Sequence, residues 1–216
     1  MLPLLPRSRV EIAPGAVHVP DWLTLDQQKM LVEACREWAA APAPMRHTRL
    51  ANGVMSVQTV CLGWHWLPYR YSRTADDVDG APVKPFPDWL RDLVRAGVLA
   101  AYDDPEMAAR YAPDAALINF YDATARMGMH QDKDERADAP VVSLSIGDNC
   151  VFRFGNAANR GKPYTDIELV SGDLFVFGGA ARFAFHGVPR IIPGTADPRL
   201  GFAGRLNITT RLTGLG

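Results

Sequence analysis

From Leu117 onward the chain breaks into short β-rich runs, at 117–121, 141–146, 151–154, 167–170, 173–177 and 204–212. Gly, Asp, Asn and Pro punctuate them. That spacing predicts a sandwich or jelly roll in the second half of the chain. Ahead of it, two amphipathic helices are expected. Thr24 and Gln27 form a capping box before Leu31, Ala34, Cys35 and Trp38, and Pro42 and Pro44 end that helix. Leu90, Leu93, Val94, Val98 and Ala101 mark the second, with Pro105 shortly after it. Strand-like pieces and an aromatic cluster occupy 54–72. The expected fold class is mainly β with flanking helices, the helices buttressing one sheet.

At 216 residues there is room for one domain with a full core and too little for two comfortable ones. The formal net charge of −1 excludes a globally basic nucleic-acid coat, so any phosphate contact must come from a local patch. Three scattered cysteines, Cys35, Cys61 and Cys150, make neither a disulfide framework nor a C-x-x-C metal site, and fit a reducing cytoplasm. The opening Met1 to Arg7 lacks the basic and apolar regions of a secretory signal, and no apolar run approaches a membrane span.

His130-Gln-Asp132 carries the chemistry. In an extended chain, residues two apart project to one face, so imidazole and carboxylate can grip one ion. His186, in Phe185-His186-Gly187, is the third ligand candidate. Two histidines and one carboxylate with open positions suit a non-haem Fe(II) oxygenase. His18 and His47, flanked by Pro and Arg, read as surface positions. A second constellation separates an oxygenase from a zinc hydrolase. Alternation along 205–212 puts Arg205, Asn207, Thr209 and Arg211 on one face, and Leu206, Ile208 and Leu212 on the other. Two arginines turned into a β core need anions, and a dicarboxylate co-substrate supplies two. The arginines lie about 20 Å apart on an ideal strand, a gap that bending and long side chains must close. Asn119 and Tyr121 repeat the i, i+2 pattern and could serve the same ligand.

Together these residues resemble the AlkB family of nucleic-acid dealkylating dioxygenases, in its bacterial branch. The matching segments are Leu117–Tyr121, His130-Gln-Asp132-Lys-Asp134-Glu135, Pro140–Gly147, Gly172-Asp173 through Gly178-Gly179, Phe185-His186-Gly187 and Arg205–Arg211. The N-terminal half matches more loosely, through Met55-Ser56-Val57 and Gly63-Trp64. The resemblance implies a double-stranded β-helix core over about 113–216, with 1–112 supplying helices and a nucleotide-recognition lid. It implies Fe(II) on His130, Asp132 and His186, and 2-oxoglutarate on Asn119, Tyr121, Arg205, Asn207 and Arg211. With O₂, an N-alkylated base such as 1-methyladenine or 3-methylcytosine would be restored, releasing aldehyde, succinate and CO₂.

The implied partner of this expected monomer is alkylated DNA, single-stranded or with the base flipped, with RNA as the alternative. By the resemblance, Trp64 and His130 sandwich the base. His65, Trp66, Tyr69 and Tyr71 add aromatic faces nearby, and Asp134 reads the base at the pocket mouth. Arg126, Arg160, Lys133 and Arg153 are candidates for phosphate contact, as are Arg70 and Arg73 beside the lid. Phe177, Leu206, His65 and Trp66 depart from the family pattern, which touches substrate preference and no ligand. Two other readings are a 2-oxoglutarate oxygenase acting on a protein or small molecule, and a cupin-like metal domain. The second leaves the Arg205/Asn207/Arg211 face without a purpose.

Overall fold

The computed structural model describes residues 7–216. Residues 1–6, most of the segment from which no secretory signal is expected, lie outside it. Two antiparallel sheets carry the fold. The larger runs in the order β1 (Val10–Ala13), β2 (Ala16–Val19), β12 (Leu174–Phe177), β9 (Val141–Gly147), β14 (Arg205–Arg211), β7 (Ala115–Tyr121), β4 (Gly53–Leu62), β3 (Arg46–Leu50). The smaller is β11 (Thr165–Leu169), β10 (Asn149–Phe154), β13 (His186–Ile192), β8 (Met127–His130). A two-stranded ribbon, β5 (His65–Leu67) and β6 (Arg70–Ser72), stands apart.

Each face of the large sheet buries its own core. On one side, helices α1 (Leu25–Ala39) and α2 (Asp88–Tyr102) bring Leu31, Val32, Leu90, Val94 and Val98 against Val142, Leu144, Val176, Leu206 and Ile208. Thr24 closes the expected capping box with Gln27, its Oγ1 accepting from the Gln27 N–H at 3.2 Å. On the other side, Phe152, Phe154, Ile167 and Leu169 of the small sheet meet Val57, Tyr121, Phe175 and Phe177 of the large one.

The structure adds elements that periodicity leaves unmarked. Pro105 starts a third helix, α3 (Pro105–Arg110), rather than only following the second. β1 and β2 form a hairpin around Pro14-Gly15, with Gly15 at φ 82°, and β2 pairs with β12. Strands from both halves of the chain thus share one sheet. His18 is buried on β2, not at the surface, because its Nε2 donates to Asp173 at 2.8 Å. His47 is exposed on β3. Among the described residues no helix is long and apolar enough to cross a membrane.

Candidate metal and co-substrate site

The two sheets enclose a cavity of about 1090 Å³. His130 and His186 are direct cross-strand partners at the end of the β8–β13 pair. Gly187 allows that pair its close approach, since a Cβ there would lie 2.7 Å from the Met127 carbonyl oxygen. Asp132 follows β8 by two residues and turns inward, so that ligand atoms of His130, Asp132 and His186 lie within 4.8 Å of one another.

The donors are in the state a metal needs. His130 Nδ1 lies 2.9 Å from the Gly128 carbonyl and His186 Nδ1 3.0 Å from that of Ala184. A carbonyl can only accept, so each Nδ1 carries a proton, which leaves Nε2 as the ring atom turned toward a metal. Those Nε2 atoms sit 3.6 and 3.7 Å from the Asp132 carboxylate. Burial, joined by the charge of His130, pushes His186 down to about 4, so its ring is neutral at physiological pH. Burial works against ionisation of Asp132, but Arg211 and both histidines outweigh it and hold the carboxyl at about 2. Asp132 Oδ2 is buried with no hydrogen-bond partner. An orphaned carboxylate oxygen between two aimed imidazoles fits a divalent metal.

Alternation along β14 holds as expected. Arg205, Asn207, Thr209 and Arg211 line the cavity, while Leu206 and Ile208 join the helix-side core. The two arginines, however, are not equivalent. Arg211 Nη2 contacts Asp132 Oδ1 at 2.7 Å and its Nη1 contacts Glu135 Oε1 at 3.1 Å. Two carboxylates therefore already meet its charge, and only Nε lacks a partner. Arg205 is 1% exposed, and its Nη2 donates to Ser145 Oγ at 3.0 Å. Its Nε and Nη1 are buried and unpaired beside the Tyr121 ring. A buried guanidinium without an anion is costly, and a ligand carboxylate is what it lacks. Arg211 reaches the triad carboxylate while Arg205 lies at the other end of β14 beside Tyr121, so the two guanidinium groups do not converge on one point. Asn119 and Asn207 lie in one cross-strand row with Thr59, linked by Thr59 Oγ1 to Asn119 Oδ1 at 2.8 Å and Asn119 Nδ2 to Asn207 Oδ1 at 3.4 Å.

Behind the site lies a buried pair that the sequence did not single out. Glu135 accepts from Arg182 Nη2 at 3.0 Å, and Arg182 Nη1 donates to the Asp132 carbonyl at 2.6 Å. The Tyr71 hydroxyl donates to Glu135 as well, tying β6 to the loop that carries Asp132. Glu135 thus sits buried at the centre of this network. Its sole signal in sequence is its place in the His-Gln-Asp-Lys-Asp-Glu run.

At the mouth the structure redistributes the expected substrate residues. Tyr69, Arg126, Asp134 and Arg160 line the cavity. Trp64 does not: its indole N–H donates to Asp114 at 3.1 Å, and the Arg73 guanidinium covers its ring at 3.5 Å. Trp66 lines the cavity instead, donating to Asp134 Oδ2 at 2.8 Å. Arg153 is held bidentate by Asp166 at 2.7 and 2.8 Å, so only part of the expected phosphate patch is unengaged.

Residues 15–211 match the 2OG-Fe(II) oxygenase superfamily. The chain is 40% identical over 208 residues to the alpha-ketoglutarate-dependent dioxygenase AlkB homolog of Caulobacter vibrioides, covering 93% of this chain and 88% of that one. It is 34% identical over 221 residues to DNA N(6)-methyladenine demethylase ALKBH1D of Arabidopsis thaliana. There it covers 93% of its own length and 50% of the plant protein's, so it spans about half of that relative. The solved structure of OsALKBH1 superposes with a TM-score of 0.85 at 32% identity, covering 94% of this chain and 99% of that chain. A site readied for a metal and a dicarboxylate thus sits on a fold and sequence shared with these proteins, and the chain belongs to the AlkB family of Fe(II)- and 2-oxoglutarate-dependent dioxygenases.

Proposed function

We propose that this protein removes alkyl groups from N-alkylated nucleic-acid bases, acting on DNA in single strands or with the base flipped out, with RNA as a further substrate. One observation carries the reading. A single cavity holds the triad and the unpaired Arg205 in its interior, and Asp134 fixed by Trp66 among exposed Tyr69, Arg126 and Arg160 at its mouth. Its volume, just above the roughly 300–1,000 Å³ usual for ligand sites, leaves room for a co-substrate and a base together.

His130, Asp132 and His186 would hold Fe(II). Arg205, with Tyr121, would take the distal carboxylate of 2-oxoglutarate, and Asn119 and Asn207 would line its path. Arg211 neutralises Asp132 and Glu135 and offers its free Nε to the co-substrate. With iron, 2-oxoglutarate and O₂ bound, the site supplies hydroxylation of the N-alkyl carbon with release of succinate, CO₂ and aldehyde. The protein's own part is to orient, to exclude water and to present a carboxylate, Asp134, to the base. Such an acceptor favours a cationic ring with an exocyclic amine, as in 1-methyladenine and 3-methylcytosine. A monomer in a reducing cytoplasm completes the proposal; the buried free thiols of Cys35, Cys61 and Cys150 fit that compartment.

The test is a panel of oligonucleotides carrying 1-methyladenine, 3-methylcytosine, 3-methylthymine or N6-methyladenine, incubated with Fe(II) and 2-oxoglutarate. The last lesion is included because the Arabidopsis relative is an N(6)-methyladenine demethylase. Formaldehyde and succinate should form in equal amounts, most rapidly on the two cationic lesions. Succinate without formaldehyde from every oligonucleotide would return the search to a protein or small-molecule substrate.

A further inference from the structure

We propose that Trp66, and not Trp64, is the aromatic wall against which the base stacks, and that its hydrogen bond to Asp134 makes it specificity-determining. Arg46, Asp77 and His65 are the positioning residues behind it. The inference rests on the reading that the substrate is a nucleic-acid base.

Three observations converge. First, the two tryptophans of the Trp64-His-Trp66 segment are presented to different surroundings. The Trp64 ring has one face under Arg73 and its N–H committed to Asp114, outside the cavity. Trp66 contributes to the cavity wall that also includes His130, Tyr69 and Asp134. Second, the Trp66 N–H takes up Asp134 Oδ2 at 2.8 Å. The carboxylate is then fixed in orientation with Oδ1 left to the base. A carboxylate accepts through either oxygen, so Asp134 selects a base edge carrying an amine over one carrying a carbonyl.

Third, the backbone on which Trp66 rides is clamped. β5 is three residues long and could not hold a side chain in place by its own ladder. Arg46 Nη2 donates to the Trp66 carbonyl at 2.7 Å, and Arg46 Nη1 donates to the Thr59 carbonyl on β4 at 2.9 Å. The Arg46 charge is met by Asp77 at 3.2 Å, and Asp77 also binds buried His65 at 2.5 Å. The Trp66 backbone N–H donates to Cys61 Sγ at 3.4 Å. A ring held this firmly loses little freedom when a base docks on it, which is the property wanted of a stacking platform.

The experiment compares W64F and W66F with the wild type, using a single-stranded oligonucleotide bearing one 3-methylcytosine. Tryptophan fluorescence should be quenched when the oligonucleotide binds to the wild type and to W64F, and the quench should be lost in W66F. The kcat/KM preference for 3-methylcytosine over 3-methylthymine should fall at least about fivefold in W66F, the low end of one lost contact worth ~1–3 kcal/mol. R46Q should raise the oligonucleotide KM while leaving the 2-oxoglutarate KM in place. A quench that vanishes in W64F, or persists in W66F, overturns the assignment, and the W64F arm decides this even where W66F does not fold. Formaldehyde from methylated oligonucleotides with the wrong tryptophan responding overturns Trp66 alone. No formaldehyde from any oligonucleotide overturns the base-dealkylation reading and this inference with it.

Discussion

Arg205 states most directly what the site is for. Replacing a buried, uncompensated cation by an apolar side chain of similar length removes a desolvation penalty. Arg205→Met should therefore leave the melting temperature of the ligand-free protein equal to or above wild type. The same change should abolish the stabilisation that 2-oxoglutarate with a divalent metal gives to the wild type. Melting curves with and without the co-substrate measure both. A large loss of ligand-free stability would mean that Arg205 is structural. At this scale the sequence was most legible where chemistry constrains residue type. His130, Asp132, His186 and the β14 face can be read from identity and alternation alone. It was least legible where two candidates of one type stand two residues apart. Nothing in Trp64-His-Trp66 says which ring turns inward, because that depends on Arg73, Asp114 and Arg46, all distant in sequence or outside the motif. His18 shows the same limit, since Pro20 beside it suggests exposure and Asp173, 155 positions away, buries it.

Among the elements, the β8–β13 pair carries the two histidines, and it is the pair that β-propensity hides. Met127-Gly-Met-His130 and His186-Gly-Val-Pro189 contain Gly and Pro, which β-propensity disfavours, yet both segments are paired. Gly187 is there because the Met127 carbonyl leaves no space for a Cβ. Gly187→Ala should push the strands apart and tilt His186 away from His130. The fold should survive with a loss of about 1–3 kcal/mol, and metal affinity should fall by at least tenfold. Isothermal titration with a redox-inert divalent ion measures this, and unchanged affinity would show that the strand gap does not set the ligand geometry. The β5–β6 ribbon was legible as strand-like pieces with an aromatic cluster, but not in its pairing or its turn. Its turn places Tyr69 at φ 68°, a conformation unusual for a bulky residue, and leaves that side chain 76% exposed at the cavity mouth.

For the molecule as a whole, the charge of −1 matters less than where charges are spent. Most cations near the site are engaged: Arg211, Arg182, Arg153 and Arg73 all have partners. With Arg126, Arg160 and Lys133 left for phosphates, binding of a single-stranded oligonucleotide should show a log K against log salt slope near −2, taking about 0.7 per contact. Anisotropy titrations in increasing salt check this, and a slope steeper than about −5 would require a basic surface the structure does not show. Asp173, just ahead of β12, binds Arg7 at 2.7 and 2.8 Å and His18 of the outer hairpin at 2.8 Å. Burial opposes its ionisation, but His18, Arg7 and two backbone N–H groups hold the carboxyl below its ordinary value. Its contribution is then complete above pH ~4, the unfolded value, and fades as pH falls through the folded one. Asp173→Asn should cost about 3 kcal/mol at neutral pH, the low end for a broken buried pair because Arg7 is partly exposed. In denaturant unfolding, that difference should shrink steadily below pH 4.

β14 lies in the middle of the large sheet, between β9 and β7, although it follows every other strand in the chain. On the ribosome, β7 and β9 are complete well before it appears, and at about 5–20 residues per second their facing edges wait open for several seconds. During that interval the growing polypeptide exposes two hydrogen-bonding edges and an unfilled seam between them. Synthesis therefore delivers Arg205 and Arg211, the arginines proposed to serve the co-substrate, in the same stroke that closes the sheet, so a half-finished chain has no assembled cavity between the sheets.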